Sequence, residues 1–588
     1  MARSLINHET LNLLALETGF PDLATLRKVL EDLQFGARIG CKPPFRGPSR
    51  SSNAPSAFAD GYKVTDAIGT WIKKGFAYGP IRPSDLPAHA KISGIMTRAK
   101  PDGSVRIILN LSAPEGRSVN DGIDSAEFPT SMSSTRQWLE VLHRVGRGAL
   151  FCKCDWADAY KHIAVHPDDT DLQYFEWLGA CFKELSLVFG GKSSAGIYDR
   201  AAKVVLHIVR VRAGFPQDWL IQHLDDVCAA CPAGSTALDR FDEEFTTVAS
   251  LLGVKLAPRD DPEKSFGPST SGTVLGVHYN TVTWTWTYPP AKLTRLLHDI
   301  QVLLQSDDTT LSVLQSVVGK ILHVHVLIPD GRFHLLHLLK ANVGTDPMQA
   351  VLLSPLLKGQ LWFWLTILRT CSGRASIPSP YRSVPPWAVQ VYTDAAGGSP
   401  STPGLGCGAV TEAWWLYVPW TRAINTGRQT ADGRKLDRCL SALELVGPLA
   451  ALCARPDAFR GLAAKFWVDN AGSVYIWQKG YSMSCSLSST LVLALATVAA
   501  GLGCHVEVAK ILRCSTPLAE MADALSKAHF QRFRAVSAEA GIPLPLDPAP
   551  VPSELLRWLC DPQVDWELGE KLLRAVSKRD ASALLEEF

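Results

Sequence analysis

The sequence predicts an α+β multidomain protein, and three observations lead to this class. The chain has 588 residues, which at roughly 150 residues per domain corresponds to about four domain-sized units. Hydrophobic residues make up 46% of the chain, as is typical of packed globular domains. Helical and strand-like hydrophobic patterns alternate, and stretches rich in proline and serine interrupt them.

The N-terminal half begins with helical patterns and continues with a mixture of helix and strand. Residues 1–40 carry apolar side chains at helical spacing, and residues 42–57 are rich in proline and serine, which indicates a linker or an exposed loop. Strand-like runs follow at 105–111, 149–154 and 281–288, the last of which reads TVTWTWTY. This half is therefore expected to contain at least one sheet.

The C-terminal half contains a leucine-rich helical region at 291–370 and a second α/β region between proline-rich breaks at 373–387 and 542–552. The apolar stretch 491–502 is shorter than the ~20 residues of a membrane span and is interpreted as a buried helix. The predicted parts are a helical N-terminal extension with a linker (1–59), a mixed α/β part (60–290), a helical part (291–387), a second α/β part (388–530) and a proline-rich linker with a helical tail (531–588).

Charge and cysteine content narrow the class of protein less than the motifs do. The net charge of +2 is not strongly basic, but basic residues can still line one groove for nucleic acid. The 14 cysteines lack framework spacing and the N-terminus has no signal-peptide pattern, so we expect reduced thiols in the cytoplasm or nucleus and no membrane partner. Cys228 and Cys231 form a CxxC without a second pair, which favours packed thiols over a metal site.

Three aspartates form the first group of candidate catalytic residues. Asp155 ends an apolar strand pattern, and Asp225 and Asp226 lie between two apolar runs, as at the tip of a hairpin. Adjacent carboxylates repel each other unless a cation neutralises them, and hard divalent ions prefer oxygen ligands. Two Mg²⁺ ions about 4 Å apart can activate a 3′-hydroxyl and stabilise leaving pyrophosphate. Because an isolated Asp-Asp pair is usually a solvated turn, the interpretation depends on the order of the motifs.

The order of these segments resembles that of retroelement reverse transcriptases. Asp155 with the DAY of 158–160 is similar to their first catalytic motif. The segment 187–200 (LVFGGKSSAGIYDR), with Phe189 and Gly190, is similar to the template-and-dNTP motif that follows it. The resemblance implies a right-hand polymerase with fingers and palm at 60–290 and thumb and connection at 291–387.

The segment 223–226 (HLDD) is similar to the aromatic-x-Asp-Asp box of the same family, with His in place of the usual Tyr or Phe. The resemblance implies that Asp155, Asp225 and Asp226 hold two Mg²⁺ ions, which Mn²⁺ can replace. It also implies that Tyr160 lies under the sugar of the incoming nucleotide and selects dNTPs. A core tyrosine is an equally weighted interpretation of Tyr160 from the sequence alone.

Two further segments resemble motifs of that family. The stretch from Lys100 to Arg106 and on to residue 110 (KPDGSVRIILN) is similar to the fingers hairpin, in which an ammonium and a guanidinium grip the triphosphate. Lys264, followed by the VLG of 274–276, is similar to the later palm motif and primer grip, where a lysine can protonate leaving pyrophosphate. Lys255 competes with Lys264 for that assignment, and a hairpin with an exposed basic face is the structural alternative for the first segment.

Four acidic residues form a second group behind the proline-rich break. Asp394 and Asp469 end strand patterns, Glu444 lies on a helical pattern, and Asp523 is predicted near a helix start. Two metal ions can activate a water and steady a scissile phosphate, and four carboxylates can hold both ions. Taken singly, an aspartate at a strand end can also cap the following helix.

The Asp, Glu, Asp, Asp order of this second group resembles the ribonuclease H fold, which implies an α/β ribonuclease H domain at 388–530. The resemblance implies that Asp394, Glu444, Asp469 and Asp523 bind two Mg²⁺ ions. Many members carry a histidine ten residues before the last aspartate, where this chain has Arg513. Arg513 is a candidate for phosphate contact or product release.

The wording of the motifs is most similar to the DIRS/Ngaro class of tyrosine-recombinase retrotransposons, with gypsy-like elements second. The resemblance implies an RNA-directed DNA polymerase with ribonuclease H (endonuclease, hydrolase) activity for retrotransposon replication. The implied partners are an RNA template, a DNA primer, an RNA–DNA hybrid and dNTPs. No recombinase nucleophile follows Tyr481, so a separate recombinase or integrase chain is expected. The alternatives are a domesticated, non-catalytic nucleic-acid-binding scaffold and a DNA-templated polymerase.

Overall fold

A computed structural model describes residues 3–100, 103–259, 261–378, 387–397, 405–425, 429, 433–436 and 439–586. The chain divides into two compact units, Met1–Thr287 and Tyr288–Phe588. Both units contain helices and sheets, so the predicted α+β multidomain class is confirmed. The division into five parts stays a prediction.

The first unit has eight helices and fourteen strands among its described residues. The helices are α1 (His8–Glu17), α2 (Leu23–Phe35), α3 (Pro55–Ala59), α4 (Gly61–Lys73), α5 (Thr135–Val145), α6 (Pro167–Thr170), α7 (Ser194–Arg212) and α8 (Ala237–Leu252). The strands are β1 (Ser49–Arg50), β2 (Ala77–Ile81), β3 (Lys91–Ser93), β4 (Ile95–Ala99), β5 (Val105–Leu109), β6 (Leu150–Cys154), β7 (Tyr174–Trp177), β8 (Ala180–Glu184), β9 (Leu220–His223), β10 (Asp226–Cys231), β11 (Phe266–Ser269), β12 (Ser271–Val274), β13 (Val277–Asn280) and β14 (Thr285–Thr287).

The strands of the first unit form a five-stranded sheet, β1-β3-β7-β8-β2, and a four-stranded sheet, β11-β6-β10-β9, together with the hairpins β4–β5 and β12–β13–β14. Strand β6 is internal to the four-stranded sheet, and the side chains of Phe151 and Cys152 on it are fully buried. Helices α7 and α8 belong to the same core. The strand ends that carry the aspartates are thus fixed by a packed sheet.

The N-terminal helices are part of this first core. The backbone N–H of Leu5 donates to the carbonyl of His162 over 2.8 Å, and that of Asn7 donates to the carbonyl of Leu252 over 2.9 Å. Leu11 and Leu26 are buried in the same cluster. The predicted helical character of residues 1–40 is confirmed, and the extension packs against the mixed region that follows it.

The strand predicted at 281–288 is only partly correct. Residues 281–284 form the turn that joins β13 to β14, and the strand covers only Thr285–Thr287. The side chain of Asn280 accepts a hydrogen bond from the N–H of Thr283 over 2.8 Å, and Trp284 has a φ of +57°. The Thr-Trp alternation continues through this reversal, which is why the pattern alone looked like one strand.

The second unit contains the remaining elements of the described chain. The helices are α9 (Pro290–Gln305), α10 (Leu311–Val324), α11 (Leu336–Ala341), α12 (Pro355–Thr370), α13 (Arg422–Asn425), α14 (Leu440–Ala454), α15 (Ala471–Lys479), α16 (Ser486–Gly501), α17 (Pro517–Ser526), α18 (Phe530–Glu539), α19 (Ser553–Cys560) and α20 (Leu568–Glu586). The strands are β15 (Asp308–Thr310), β16 (Ala350–Leu352), β17 (Arg374–Ser376), β18 (Val389–Ala395), β19 (Gly406–Val410), β20 (Trp415–Pro419), β21 (Ala463–Val468) and β22 (His505–Lys510).

A mixed five-stranded sheet, β20-β19-β18-β21-β22, organises the later part of this unit. Strands β18, β21 and β22 are parallel, whereas β19 and β20 are antiparallel to their neighbours. A Cβ on Gly447 of α14 would meet Thr393, and one on Gly408 of β19 would meet Leu525 of α17. Helices α14 and α17 therefore cover opposite faces of the sheet, as expected for an α/β domain. The predicted buried helix at 491–502 is confirmed as part of α16.

Candidate active sites

The antiparallel register of β6 and β10 brings the first group of aspartates together. Val227 pairs with Cys154, and continuing this register by one position places Asp226 across from Asp155. Asp225 lies in the two-residue turn of the β9–β10 hairpin, next to Asp226. The three predicted carboxylates therefore lie at one edge of the four-stranded sheet.

Burial and mutual repulsion oppose full ionisation of this first cluster. Burial, followed by repulsion from Asp225 and Asp226, raises the pKa of Asp155 from 3.8 to about 7. Burial and the neighbouring Asp226 also raise the pKa of Asp225. A divalent cation would relieve this repulsion, and the all-oxygen donor set suits Mg²⁺ or Mn²⁺.

Lys153 supplies a positive charge inside this cluster, and the sequence analysis missed it. Its Nζ lies 3.0 Å from Oδ1 of Asp226 and donates to the carbonyl of Glu263 over 2.9 Å. Although burial lowers it, the pKa of Lys153 is raised overall because the attraction of Asp226 outweighs that burial. The signal was a lysine two positions before Asp155 in an otherwise apolar strand, since alternate strand residues share a face.

Two side chains of β9 stabilise the turn of the β9–β10 hairpin that carries Asp225. Leu224 adopts a φ of +55°, and the side chain of Gln222 donates to its carbonyl over 3.1 Å. The ring Nδ1 of His223 lies 2.6 Å from the carbonyl oxygen of Ser133. The histidine that replaces the usual aromatic residue of the motif therefore fastens the turn by a polar contact.

Three of the predicted substrate-binding residues, Arg106, Tyr160 and Phe189, are in contact near Asp225. The rings of Tyr160 and Phe189 are 4.8 Å apart, and the guanidinium carbon of Arg106 lies 4.7 Å from the centre of the Phe189 ring. Burial and the nearby charge of Asp225 raise the pKa of Tyr160 to about 12, so its hydroxyl keeps its proton. The β4–β5 hairpin, the FGG loop and the β9–β10 turn thus converge here.

Gly190 allows the FGG loop to approach the β4–β5 hairpin. Its φ is +100°, and a Cβ at this position would lie 1.9 Å from the carbonyl oxygen of Leu109. The N–H of Leu109 donates to the carbonyl of Phe189 over 3.1 Å. The side chain of Asn120 donates to the carbonyl of Gly190 over 2.8 Å and accepts from the N–H of Lys192 over 2.9 Å. Asn120 is a further supporting residue without a sequence signal.

Lys100 lies at the tip of the β4–β5 hairpin, where its N–H donates to the carbonyl of Ser104 over 2.8 Å. Residues 101 and 102 of the predicted fingers motif lie outside the described residues. Burial raises the pKa of Asp158, but a hydrogen bond from Lys74 over 3.0 Å and the charge of Lys100 lower it overall. The positive charge of Lys100 therefore acts on Asp158, which lies in the segment predicted as the first catalytic motif.

Lys264 is placed less directly than the other predicted residues. Its Nζ pairs with Oδ2 of Asp261 over 3.0 Å, and both side chains are largely exposed. Lys153 pairs with Asp226, one of the predicted metal-binding carboxylates. In the VLG of 274–276, Val274 ends β12, and Leu275 and Gly276 form the turn to β13, both with positive φ.

The parallel register of β18 and β21 brings the second group together. Tyr392 pairs with Trp467, so the same register two positions further on places Asp394 beside Asp469. Glu444 projects from α14, and ligand oxygens of Asp394, Glu444 and Asp469 all lie within 4.8 Å of one another. Among the described residues the first cluster is not drawn together as closely.

Glu444 is the most buried member of this second cluster. Its exposed fraction is 1%, and neither carboxylate oxygen has a hydrogen-bond partner among the described residues. Burial, then repulsion from Asp394 and Asp469, raises its pKa well above the ordinary value. Burial likewise raises the pKa of Asp394 despite a hydrogen bond from the Ser526 hydroxyl. A buried carboxylate without a donor fits a divalent metal site.

Arg513 lies among the carboxylates of the second cluster. Its Nη2 is 2.6 Å and its Nε 2.7 Å from Oδ2 of Asp469. Its guanidinium also lies 3.8 Å from Asp394 and 3.6 Å from Asp523. Burial lowers and the three aspartates raise the pKa of Arg513, with a net increase.

Asp523 lies in the second half of α17. The prediction that it lies near the start of a helix is therefore wrong. The helix begins at Pro517 with a cap from Thr516, so the second half of its length carries Asp523 to the sheet edge. Lys527, one turn later, lies 2.7 Å from Asp523. Lys527 and Ser526 were both missed, although their spacing from Asp523 on a helix was the available signal.

Two cysteines of the first unit lie close to an aspartate, but the hydrogen bonds of that aspartate do not suit a metal site. Ligand atoms of Cys152, Cys154 and Asp242 lie within 4.8 Å of one another. Both carboxylate oxygens of Asp242, however, accept hydrogen bonds from the guanidinium of Arg259 over 2.5 Å. Cys228 and Cys231 are buried free thiols, as predicted.

No protein-family model and no curated protein matches the chain. Among solved structures it is similar to a foamy viral protease-reverse transcriptase in complex with double-stranded DNA, at 14% identity over 88% of this chain and 100% of that chain, with a TM-score of 0.43. It is similar to the dRH form with double-stranded DNA at 12% identity over 87% and 83%, with a TM-score of 0.44. It is also similar to the foamy viral protease-reverse transcriptase in complex with an RNA/DNA hybrid, at 13% identity over 88% of this chain and 64% of that chain, with a TM-score of 0.45. None of the three distinguishes DIRS/Ngaro from gypsy-like elements.

The described helices include none that is both long and apolar enough to cross a bilayer. Helix α16 is largely buried, so its apolar length serves the core of the second unit.

Proposed function

We propose that this chain is an RNA-directed DNA polymerase with an attached ribonuclease H, encoded by a retroelement of the DIRS/Ngaro class or, second, of a gypsy-like class. The observation that carries the proposal is the convergence of three aspartates, Asp155, Asp225 and Asp226, near the contacting side chains of Tyr160, Phe189 and Arg106. Carboxylates at a strand edge next to phosphate- and base-binding groups suit nucleotidyl transfer.

In the polymerase, Arg106 and Lys100 would bind the triphosphate, since a guanidinium fork and an ammonium both suit phosphate oxygens. Tyr160 would lie under the sugar and exclude a 2′-hydroxyl, and the backbone at Phe189 and Gly190 would face the template and the nucleotide base. Lys264 remains a proposed substrate contact through the primer or pyrophosphate. Residues 60–290 would form fingers and palm, and 291–387 thumb and connection.

In the nuclease at 388–530, Asp394, Glu444, Asp469 and Asp523 would hold the metal ions, and the Ser526 hydroxyl orients Asp394. Two Mg²⁺ ions at each site, replaceable by Mn²⁺, would activate the attacking oxygen and stabilise the charge on the reacting phosphate. The substrates would be an RNA template, a DNA primer, dNTPs and the RNA–DNA hybrid. A separate recombinase or integrase chain would insert the product.

The first test is Mg²⁺-dependent primer extension on an RNA template by wild type and Asp225→Asn. We expect the substitution to reduce extension by a factor on the order of 10³ or more, because it removes a metal-ligand charge while leaving the shape of the turn. Asp218→Asn is the matched control, since Asp218 is an exposed partner of Arg144 in the same unit.

Cleavage of the RNA strand of a hybrid tests the second site in the same preparations. Asp469→Asn should lose cleavage and keep extension, and Asp565→Asn, an aspartate paired with Lys571, should keep both. Wild type that binds a primer–template duplex but extends neither RNA nor DNA templates would favour the scaffold alternative. Extension on DNA templates alone would favour the DNA-templated polymerase.

A further inference from the structure

The guanidinium of Arg513 lies within 3.8 Å of three of the four carboxylates that are proposed to hold metal in the second cluster. We propose that Arg513 is a tethered cation that neutralises the second cluster in the metal-free protein and competes with divalent metal for it. This inference rests on the proposed nuclease function. It makes Arg513 a positioning residue, which sets how much metal the site needs.

The need for a cation follows from the carboxylates themselves. Asp394 and Glu444 are nearly fully buried, with exposed fractions of 5% and 1%. Their ligand oxygens lie within 4.8 Å of those of Asp469. Uncompensated charges this close in a low-dielectric interior repel each other strongly. The guanidinium of Arg513 reaches three of the four acids and so reduces that repulsion.

Arg513 contacts one acid of the cluster closely and the others only at longer distances, so a metal ion can displace it. Among the described residues its short hydrogen bonds go to Asp469, and its distances to Asp394 and Asp523 are 3.8 and 3.6 Å. Within the described residues no ion pair joins it to Glu444, whose oxygens lack a partner. Its side chain is 53% exposed, on the loop after β22, so it can swing into solvent.

A metal ion could neutralise Glu444 as well as the aspartates, which Arg513 does not do. Oxygens of Asp394, Glu444 and Asp469 would all be ligands, whereas the guanidinium satisfies mainly one acid. Metal binding must then displace Arg513, and the apparent affinity equals the intrinsic affinity multiplied by the fraction of molecules in which Arg513 has left the cluster. Removing the guanidinium should destabilise the metal-free protein and tighten metal binding.

The test measures the thermal unfolding of the full chain against MgCl₂ concentration, with Mn²⁺ binding by calorimetry as a second readout. In Arg513→Gln we expect a lower Tm without metal and a Mg²⁺ midpoint that falls by about three- to tenfold. Arg557→Gln is the matched control, because Arg557 is an exposed arginine of the same unit that pairs with Glu554 on α19 over 3.0 Å. Its Mg²⁺ midpoint should equal that of wild type.

Glu444→Gln defines the share of the metal response that belongs to this site, since Glu444 is a cluster member without an ion pair to Arg513. A Mg²⁺ midpoint in Arg513→Gln that equals or exceeds that of wild type overturns the inference alone. If Arg513→Gln lowers the Tm and Mg²⁺ does not restore it, the inference is also overturned, and Arg513 has a purely structural role. If Glu444→Gln leaves the metal response of wild type unchanged, the site binds no metal, and the proposed nuclease fails with the inference.

Discussion

Each of the two carboxylate clusters of this chain contains a basic side chain, here called its resident cation, which is Lys153 in the first and Arg513 in the second. The two side chains are held in different ways. Lys153 lies on β6, two residues before Asp155. Its side chain is 9% exposed, and it is bonded to both Asp226 and the carbonyl of Glu263. Arg513 reaches its cluster from a loop and is 53% exposed. The first cation is therefore part of the sheet, whereas the second can leave.

This difference bears on how each cluster tolerates its own charge. In the first cluster, burial and then repulsion from Asp225 and Asp226 raise the pKa of Asp155 to about 7, while Lys153 pairs with Asp226. In the second cluster, burial and then repulsion from Asp394 and Asp469 raise the pKa of Glu444, whose oxygens have no hydrogen-bond partner among the described residues. A divalent cation would relieve the repulsion at both acids.

The largest expected effect concerns the backbone that supports each cluster. Gly190→Ala should destabilise the chain by about 3 kcal/mol or more, because its positive φ and the carbonyl of Leu109 both exclude a Cβ. Gly408→Ala, whose Cβ would press on Leu525, should cost about 1–3 kcal/mol. Gly234→Ala, with a φ of +79° but open space, should cost only about 1 kcal/mol.

Urea unfolding and the two activity assays distinguish these three variants. Gly190→Ala should impair extension more than hybrid cleavage, and Gly408→Ala should do the reverse, since it displaces α17 and Asp523. Equal losses for Gly190→Ala and Gly234→Ala would mean that the close approach of the FGG loop to β5 does not matter.

The next effect is the pH dependence of the first cluster. The folded chain keeps the proton of Asp155 up to about pH 7, whereas the ordinary value is 3.8, so wild-type stability falls as the pH rises through that window. Metal-free Asp155→Asn should thus be more stable than wild type at pH 8, by a difference on the order of 2–4 kcal/mol. Below about pH 4 the difference should vanish.

Urea titrations at several pH values in a chelator check this expectation. A difference between the two proteins that stays constant with pH would show that Asp155 ionises normally, and would place the repulsion elsewhere in the cluster.

A smaller effect compares the two resident cations directly. Lys153→Gln should destabilise the metal-free chain by about 2 kcal/mol, since it leaves a partly buried Asp226 without its partner. Arg513→Gln should cost within about 1 kcal/mol, because an exposed ion pair contributes little. Denaturant midpoints measure both, and the reverse order would contradict the distinction between a fixed and a removable cation.

The smallest effect is expected at Lys264. Because its ammonium pairs with Asp261 in an exposed position, Lys264→Ala should slow extension by about twofold, whereas Arg106→Ala should slow it by about tenfold or more. Steady-state extension rates at saturating primer–template check this order. A loss at Lys264 as large as that at Arg106 would restore it as a direct contact with the reacting phosphates.

Much of each candidate site could be predicted because its residues lie at strand ends. Asp155, Asp394 and Asp469 each end an apolar run, and strand ends are readable from alternation and from the polar residue that follows. Asp523 was predicted at the wrong end of its helix, since the position of a residue within a helix depends on the cap at Thr516. The turn at 281–284 was missed because the Thr-Trp alternation continues through it.

The sequence by itself determined the α+β class, the helices of the N-terminal extension and the strand placement of the aspartates, because hydrophobic periodicity is a local property of the chain. Only the tertiary structure decided which side chains meet. Registers between distant strands brought Asp226 to Asp155 and Asp394 to Asp469, and long-range packing put Lys153 and Arg513 among the acids. Contacts of that kind depend on residues far apart along the chain, which no local pattern records.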